Sequence, residues 1–160
     1  MIKSLKVANY KNIRHSFVGF DNIEDFNILI GRNNIGKSIL LSVLHKLKYI
    51  YFYNDRVELF EDSTLIEYSI RIKDIPREFF EVDRPIGSFE SGQAYGKSLL
   101  NKTIVYEYHM TDRLCHIKKI EDSLIEPFGT QAINNDIKKI LEDLGQYELK
   151  SFTNDFNLIK

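Results

Sequence analysis

The chain has no tryptophan, one cysteine, two methionines and three prolines in 160 residues. Its single cysteine, Cys115, excludes an internal disulfide framework and fits a reducing compartment. It reads as a small strand residue rather than a nucleophile, following the burial habit of free thiols. An excess of either charge is missing too: Lys+Arg 22 against Asp+Glu 23 leaves a net charge of -1. That balance gives no support to a surface that is basic all over, although a local basic patch is compatible with it. No run approaches the roughly 20 apolar residues of a membrane helix, so no membrane association is expected. Met1 to Lys6 lacks the apolar stretch and small-residue cleavage site of a signal peptide, which makes the cytoplasm the default location. There is no repeat at a solenoid period and no low-complexity tract.

Apolar material is plentiful. With 43% hydrophobic residues, including 11 Phe and 9 Tyr, the chain can build the core of one domain. Its organising stretch is Gly31-Arg32-Asn33-Asn34-Ile35-Gly36-Lys37-Ser38, which fits the phosphate-binding pattern G-x-x-x-x-G-K-[ST] without a mismatch. Phe26 to Ile30 before it reads as a short buried strand, and Ser38 to Leu47 after it reads as a helix that is apolar on most sides. Glycines at both ends let such a loop curl so that backbone N–H groups face an anion, and the following helix adds its positive end. Lys37 is placed to reach the β- and γ-phosphates of ATP, and the Ser38 hydroxyl to ligate Mg²⁺. The bland alternative is a glycine-rich turn that binds nothing.

Two strands precede the loop. Ile2 to Asn9 places Leu5 and Val7 on one face and Lys6 on the other, Tyr10 to Arg14 reads as a polar turn, and His15 to Phe20 reads as a second strand. With the turn Asn9-Tyr10-Lys11-Asn12-Ile13 and the loop asparagines Asn33 and Asn34, residues 1–50 resemble the amino terminus of ABC-type ATPases of the SMC, RecF and OLD group. The asparagine pair looks most like the OLD-like bacterial defence ATPases. The resemblance implies that ATP contacts residues 31–39, including Ile39, with Mg²⁺ on Ser38. It also implies that the turn lysine, Lys11, approaches the nucleotide, with Arg14 a weaker candidate. A solvated turn lysine is the competing reading of Lys11.

Farther along, Ile66, Tyr68, Ile70 and Ile72 alternate with Glu67, Ser69, Arg71 and Lys73, as in a strand wet on one side. Thr103 to Met110 and Leu114 to Lys118 form a predicted hairpin around Thr111-Asp112. Residues 74–98 hold two of the three prolines and three of the eight glycines, and read as a loop or insertion. Ile133, Ile137, Ile140, Leu141 and Leu144 recur at helical spacing, with Thr130 as a cap and Gly145 as the stop. The aromatic cluster at residues 49–53 reads as a core or interface patch rather than a base-stacking surface. The fold class is therefore α/β: the amino-terminal half of a P-loop NTPase (strand, loop, helix), an adjoining antiparallel β-lobe and a C-terminal amphipathic helix. The expected parts are 1–52 for the strands, loop and helix, 53–125 for the lobe with an insertion near 74–100, and 126–160 for the helical end.

Other patterns are decoys or absences. Gly92-Gln93-Ala94-Tyr95-Gly96-Lys97-Ser98 resembles a second phosphate loop but has the wrong count and no preceding apolar strand. His15, His45, His109 and His116 are read as having no carboxylate or cysteine at metal-ligand spacing, so no metal beyond Mg²⁺ is expected. Hydrolysis calls for an acidic residue after a second buried strand. Ile50 to Asp55 lies too close to the helix to supply it, and Ile70 to Asp74 is interrupted by charges. No catalytic residue is therefore assigned. An LSGG-like signature is also missing, and Gln93, Gln131 and Gln146 are undistinguished as γ-phosphate sensors. The chain reads as the amino-terminal part of an ATPase, completed by a missing C-terminal part or a partner chain, with a homodimer or partner ATPase half, and DNA or a nuclease effector, as the expected partners. A nucleotide-sensing or partner-docking module without turnover is the alternative.

Overall fold

A computed structural model describes residues 2–24, 37–50, 60–75, 77, 85–86, 90–121 and 131–155. Five strands form one antiparallel sheet in the order β2-β1-β3-β6-β7. They are β1 (Ile2–Ala8), β2 (Val18–Phe20), β3 (Leu65–Arg71), β6 (Thr103–His109) and β7 (Leu114–Glu121). The strands expected before the phosphate loop and those expected in the adjoining lobe share one hydrogen-bonded sheet.

Register explains why alternation in the sequence becomes a core. Val7, Ile66, Tyr108 and Cys115 stand in one cross-strand row; Leu5, Tyr68, Tyr106 and Ile117 form the next; Ile2, Ile70, Ile104 and Ile120 form a third. Because strand side chains point to opposite faces in turn, a match in one row aligns the others. Ten of these twelve are buried: Ile2, Leu5, Val7, Ile66, Tyr68, Ile104 and Tyr106 at 0%, Tyr108 at 1%, Ile70 at 2% and Cys115 at 3% exposure. On the opposite face Lys6, Glu67, Glu107 and His116 make the corresponding polar row. Lys118 reaches from β7 to Glu67 at 2.6 Å and Glu107 at 3.3 Å across that face.

Two long helices supply most of the helical side of the same core, to which Tyr95 of a shorter one also belongs. In α1 (Lys37–Ile50), Leu40, Val43, Leu44 and Leu47 are buried, whereas Leu41 is 36% exposed. The helix is therefore amphipathic rather than apolar on most sides, with its buried positions recurring at three- and four-residue spacing. The third helix, α3 (Gln131–Asp155), buries Ile137, Leu141 and Leu149. It continues ten residues past Gly145, the expected stop. Gly145 is there for space: a Cβ on it would lie 2.5 Å from Tyr106 Cε1 and 2.9 Å from Cys115 Sγ. Thr130, the expected cap, lies outside the described residues.

Two further sequence expectations change. The stretch read as a long loop contains β4 (Pro85–Ile86) paired with β5 (Glu90–Ser91), followed by α2 (Gly92–Ser98). The loop-like decoy at 92–98 is thus helical. The turn at 10–14 is polar only in part: Tyr10 is 2% and Ile13 7% exposed, and both belong to the core. Paired backbone hydrogen bonds between Tyr10 and Ile13, both 3.0 Å, close this turn. Asn9, Lys11 and His15 adopt left-handed φ values of 54, 53 and 59°.

Candidate nucleotide-binding site

Of the residues proposed to hold the nucleotide, Gly31, Arg32, Asn33, Asn34, Ile35 and Gly36 lie outside the described residues, as does the expected strand at 26–30. Lys37, Ser38 and Ile39 form the first turn of α1. Lys37 and Ile39 are half-buried and Ser38 is exposed. No acidic residue stands in that turn, so no carboxylate there neutralises the positive end of the helix, an arrangement suited to an anion. The helix is held at its far side by Leu40, Val43, Leu44 and Leu47, which fixes the direction in which its N-terminus points.

The turn carrying Lys11 docks on α1. Tyr10 Oη lies 3.5 Å from Ser42 Oγ, and Ser42 stands one turn beyond Ser38 on the same helix face. Lys46, a further turn along that stripe, places its Nζ 5.2 Å from the Tyr10 ring centroid and 5.6 Å from that of Phe60. Lys11 Nζ is 5.4 Å from the Tyr10 centroid. Burial pushes the Tyr10 phenol up, but hydrogen bonds with Lys46 and Ser42 and the charges of Lys46 and Lys11 together outweigh it, so its pKa is lowered. Two ammonium groups thus flank one aromatic ring against the helix that starts at Lys37. Lys11 and Arg14 are both exposed.

Among the candidate sensors, Gln146 Nε2 donates to the Arg113 carbonyl at 3.5 Å, at the β6–β7 turn. Asp74, following β3, is exposed, unlike an acid held at the end of a buried strand. Residues 51–55 lie outside the described residues.

Cys115 behaves as expected of a core residue. It is 3% exposed, its Sγ lies 2.8 Å from Tyr68 Oη, and burial pushes its thiol up to about 12. The histidines depart from expectation: His109, Asp112 and His116 converge, their potential ligand atoms all within 4.8 Å of one another. The signal was present in the sequence as the four-residue spacing of Asp112 and His116. It became visible once the hairpin register placed His109 beside them.

No protein-family model matches the chain, and no curated protein matches it. Among solved structures, one from work on the structural biochemistry of ATP-driven dimerization and DNA-stimulated activation of SMC ATPases is distantly similar. The likeness covers 99% of this chain and 86% of that one, with 15% sequence identity and a TM-score of 0.37. No helix among the described residues is long and apolar enough to cross a membrane.

Proposed function

We propose that the chain is the ATP-binding part of an SMC/OLD-like ATPase, acting in the cytoplasm in DNA processing or anti-phage defence. The observation that carries this reading is the unbroken G-x-x-x-x-G-K-[ST] pattern of residues 31–38, followed by the helix Lys37–Ile50. Support also comes from the turn at 10–13, where Lys11, in a left-handed conformation, lies over the Tyr10 ring and Tyr10 reaches Ser42 of α1.

In this reading the backbone of 31–36 cradles the phosphates and Lys37 neutralises the β- and γ-oxygens. Lys11 adds charge from the side. The exposed Ser38 hydroxyl fits as a Mg²⁺ ligand, and that ion offsets phosphate charge. Turnover falls to an acidic strand and signature that a second half of the ATPase or a partner chain of different sequence would supply, with ATP-driven dimerisation and DNA or a nuclease effector coupled to the cycle. The absence of that acidic strand from the sequence favours a second reading, a nucleotide-sensing or partner-docking module that does not hydrolyse.

A thermal-shift titration with ATP and Mg²⁺, run beside Lys37→Ala, tests the shared part of both readings. Ligand at about 100 times its dissociation constant adds about 2.7 kcal/mol. For a domain of this size that raises the melting temperature by about 5–10 °C. The wild type should shift and Lys37→Ala should not; equal behaviour of the two refutes a phosphate site at residues 31–38. Phosphate release without an added partner would exclude the non-hydrolysing module.

A further inference from the structure

The β6–β7 hairpin gathers three ligand-type side chains on the face turned away from the core. His109 ends β6, Asp112 sits in the turn, and His116 follows two residues into β7. The imidazole rings meet edge to face, centroids 4.9 Å apart at 73°. The turn itself aims the carboxylate: Asp112 Oδ1 accepts the Leu114 amide at 2.9 Å, and Oδ2 lies 3.0 Å from His116 Nε2. Two more carboxylates stand behind the rings. Glu107 Oε1 is 2.8 Å from His109 Nε2, and Glu142 Oε1, from α3, is 3.7 Å from His116 Nδ1.

We propose that His109, Asp112 and His116 form a binding site for a borderline divalent transition metal of the Zn²⁺ class. Two imidazole nitrogens and one carboxylate oxygen are a ligand set this class favours over Mg²⁺ or Ca²⁺. Ligands about 2.0–2.2 Å from a tetrahedral ion lie about 3.3 Å from one another. The His116–Asp112 pair at 3.0 Å is already near that spacing. The remaining contraction falls on side chains that are 36–44% exposed, whose torsions are free to adjust. Glu107 and Glu142 are placed to orient the imidazoles from behind, as carboxylates do around metal-bound histidines. A fourth position stays open to water. Such an ion would tie the end of β6 to β7, the edge strand of the sheet. The site shares no residue with 31–39 or Lys11, so it stands or falls apart from the nucleotide reading.

The test uses the full chain, stripped by chelator and free of nucleotide, titrated near neutral pH with Co²⁺ by visible absorption and with Zn²⁺ by calorimetry. One equivalent should bind, giving tetrahedral Co²⁺ bands that Zn²⁺ displaces. His116→Ala and Asp112→Asn should each weaken binding by about tenfold or more. Asp112→Asn keeps an acceptor for the Leu114 amide, so its metal-free melting temperature should stay near that of the wild type and separate ligand loss from misfolding. A His15→Asn/His45→Gln double variant should bind as the wild type does. Failure of the wild type to bind, binding that survives both His116→Ala and Asp112→Asn, or its loss in the His15/His45 double variant would each overturn the proposal.

Discussion

Replacing Gly145 by alanine should destabilise the protein, although a glycine-to-alanine change inside a helix is ordinarily worth about 1 kcal/mol in its favour. The sign is reversed by what the new methyl meets. A Cβ at position 145 would sit 2.5 and 2.7 Å from Tyr106 Cε1 and Cδ1 and 2.9 Å from Cys115 Sγ. Those atoms are not the ends of flexible surface chains. Tyr106 is 0% exposed, its ring stacks on Tyr68 with centroids 5.4 Å apart, and its hydroxyl donates to the Leu141 carbonyl at 2.9 Å. Relief requires the ring to move by about 1 Å, or α3 to lift from the sheet. Overpacking of this kind costs about 1–3 kcal/mol, and losing the Tyr106 hydrogen bond adds about 1 kcal/mol. After the helix-propensity gain the net loss is about 1–3 kcal/mol, a fall of roughly 2–12 °C in melting temperature for a domain of this size. Circular dichroism during heating, with urea unfolding as a second measure, reads it directly. Adding Cys115→Ala removes one of the three close atoms and should make the pair non-additive. A melting temperature for Gly145→Ala equal to or above that of the wild type would refute the argument and the close approach of α3 to the sheet with it.

Buried aromatic hydroxyls set an alkaline limit. Burial is the largest influence, and repulsion by Cys115 once ionised, Glu148 and Glu142 adds to it, so the Tyr106 pKa is raised well above its ordinary value. A pKa raised on folding stabilises the native state fully below the unfolded value, near 10, and that contribution is lost as pH rises beyond it. Urea midpoints should therefore decline above about pH 10, and Tyr106→Phe should flatten the decline; an equally steep loss in that variant would count against Tyr106. Cys115, 3% exposed, should resist iodoacetamide in the native protein and react at the rate of a free thiol in denaturant. Rapid native labelling would show that the β7 side of the core is open.

Much of the architecture was legible because it rests on period. The two-residue alternation of Ile66 to Ile72 and of Ile104 to Tyr108 defines β3 and β6 and says which side faces inward, since burying one face of a strand leaves no other choice of register. The hairpin turn at Thr111-Asp112 was equally local, resting on turn chemistry and two flanking runs. The phosphate-loop pattern is likewise carried by residue type and spacing, and residues 37–50 that follow it are helical.

What the sequence by itself determined, then, is the strands β1, β3, β6 and β7, their inward faces and a helix after the phosphate-loop pattern, because each follows from local pattern. Tertiary structure alone decided the roles that depend on a distant partner. Gly145 looks like a helix stop until Tyr106 and Cys115 are placed against it, and Tyr10 looks polar until it is packed among core residues and reaches α1. His109 and His116 look isolated along the chain; antiparallel pairing of β6 with β7 brings them around Asp112, and α3 adds Glu142 from 26 positions beyond His116. Periodicity records which way a side chain points. Only the packed fold decides what it meets.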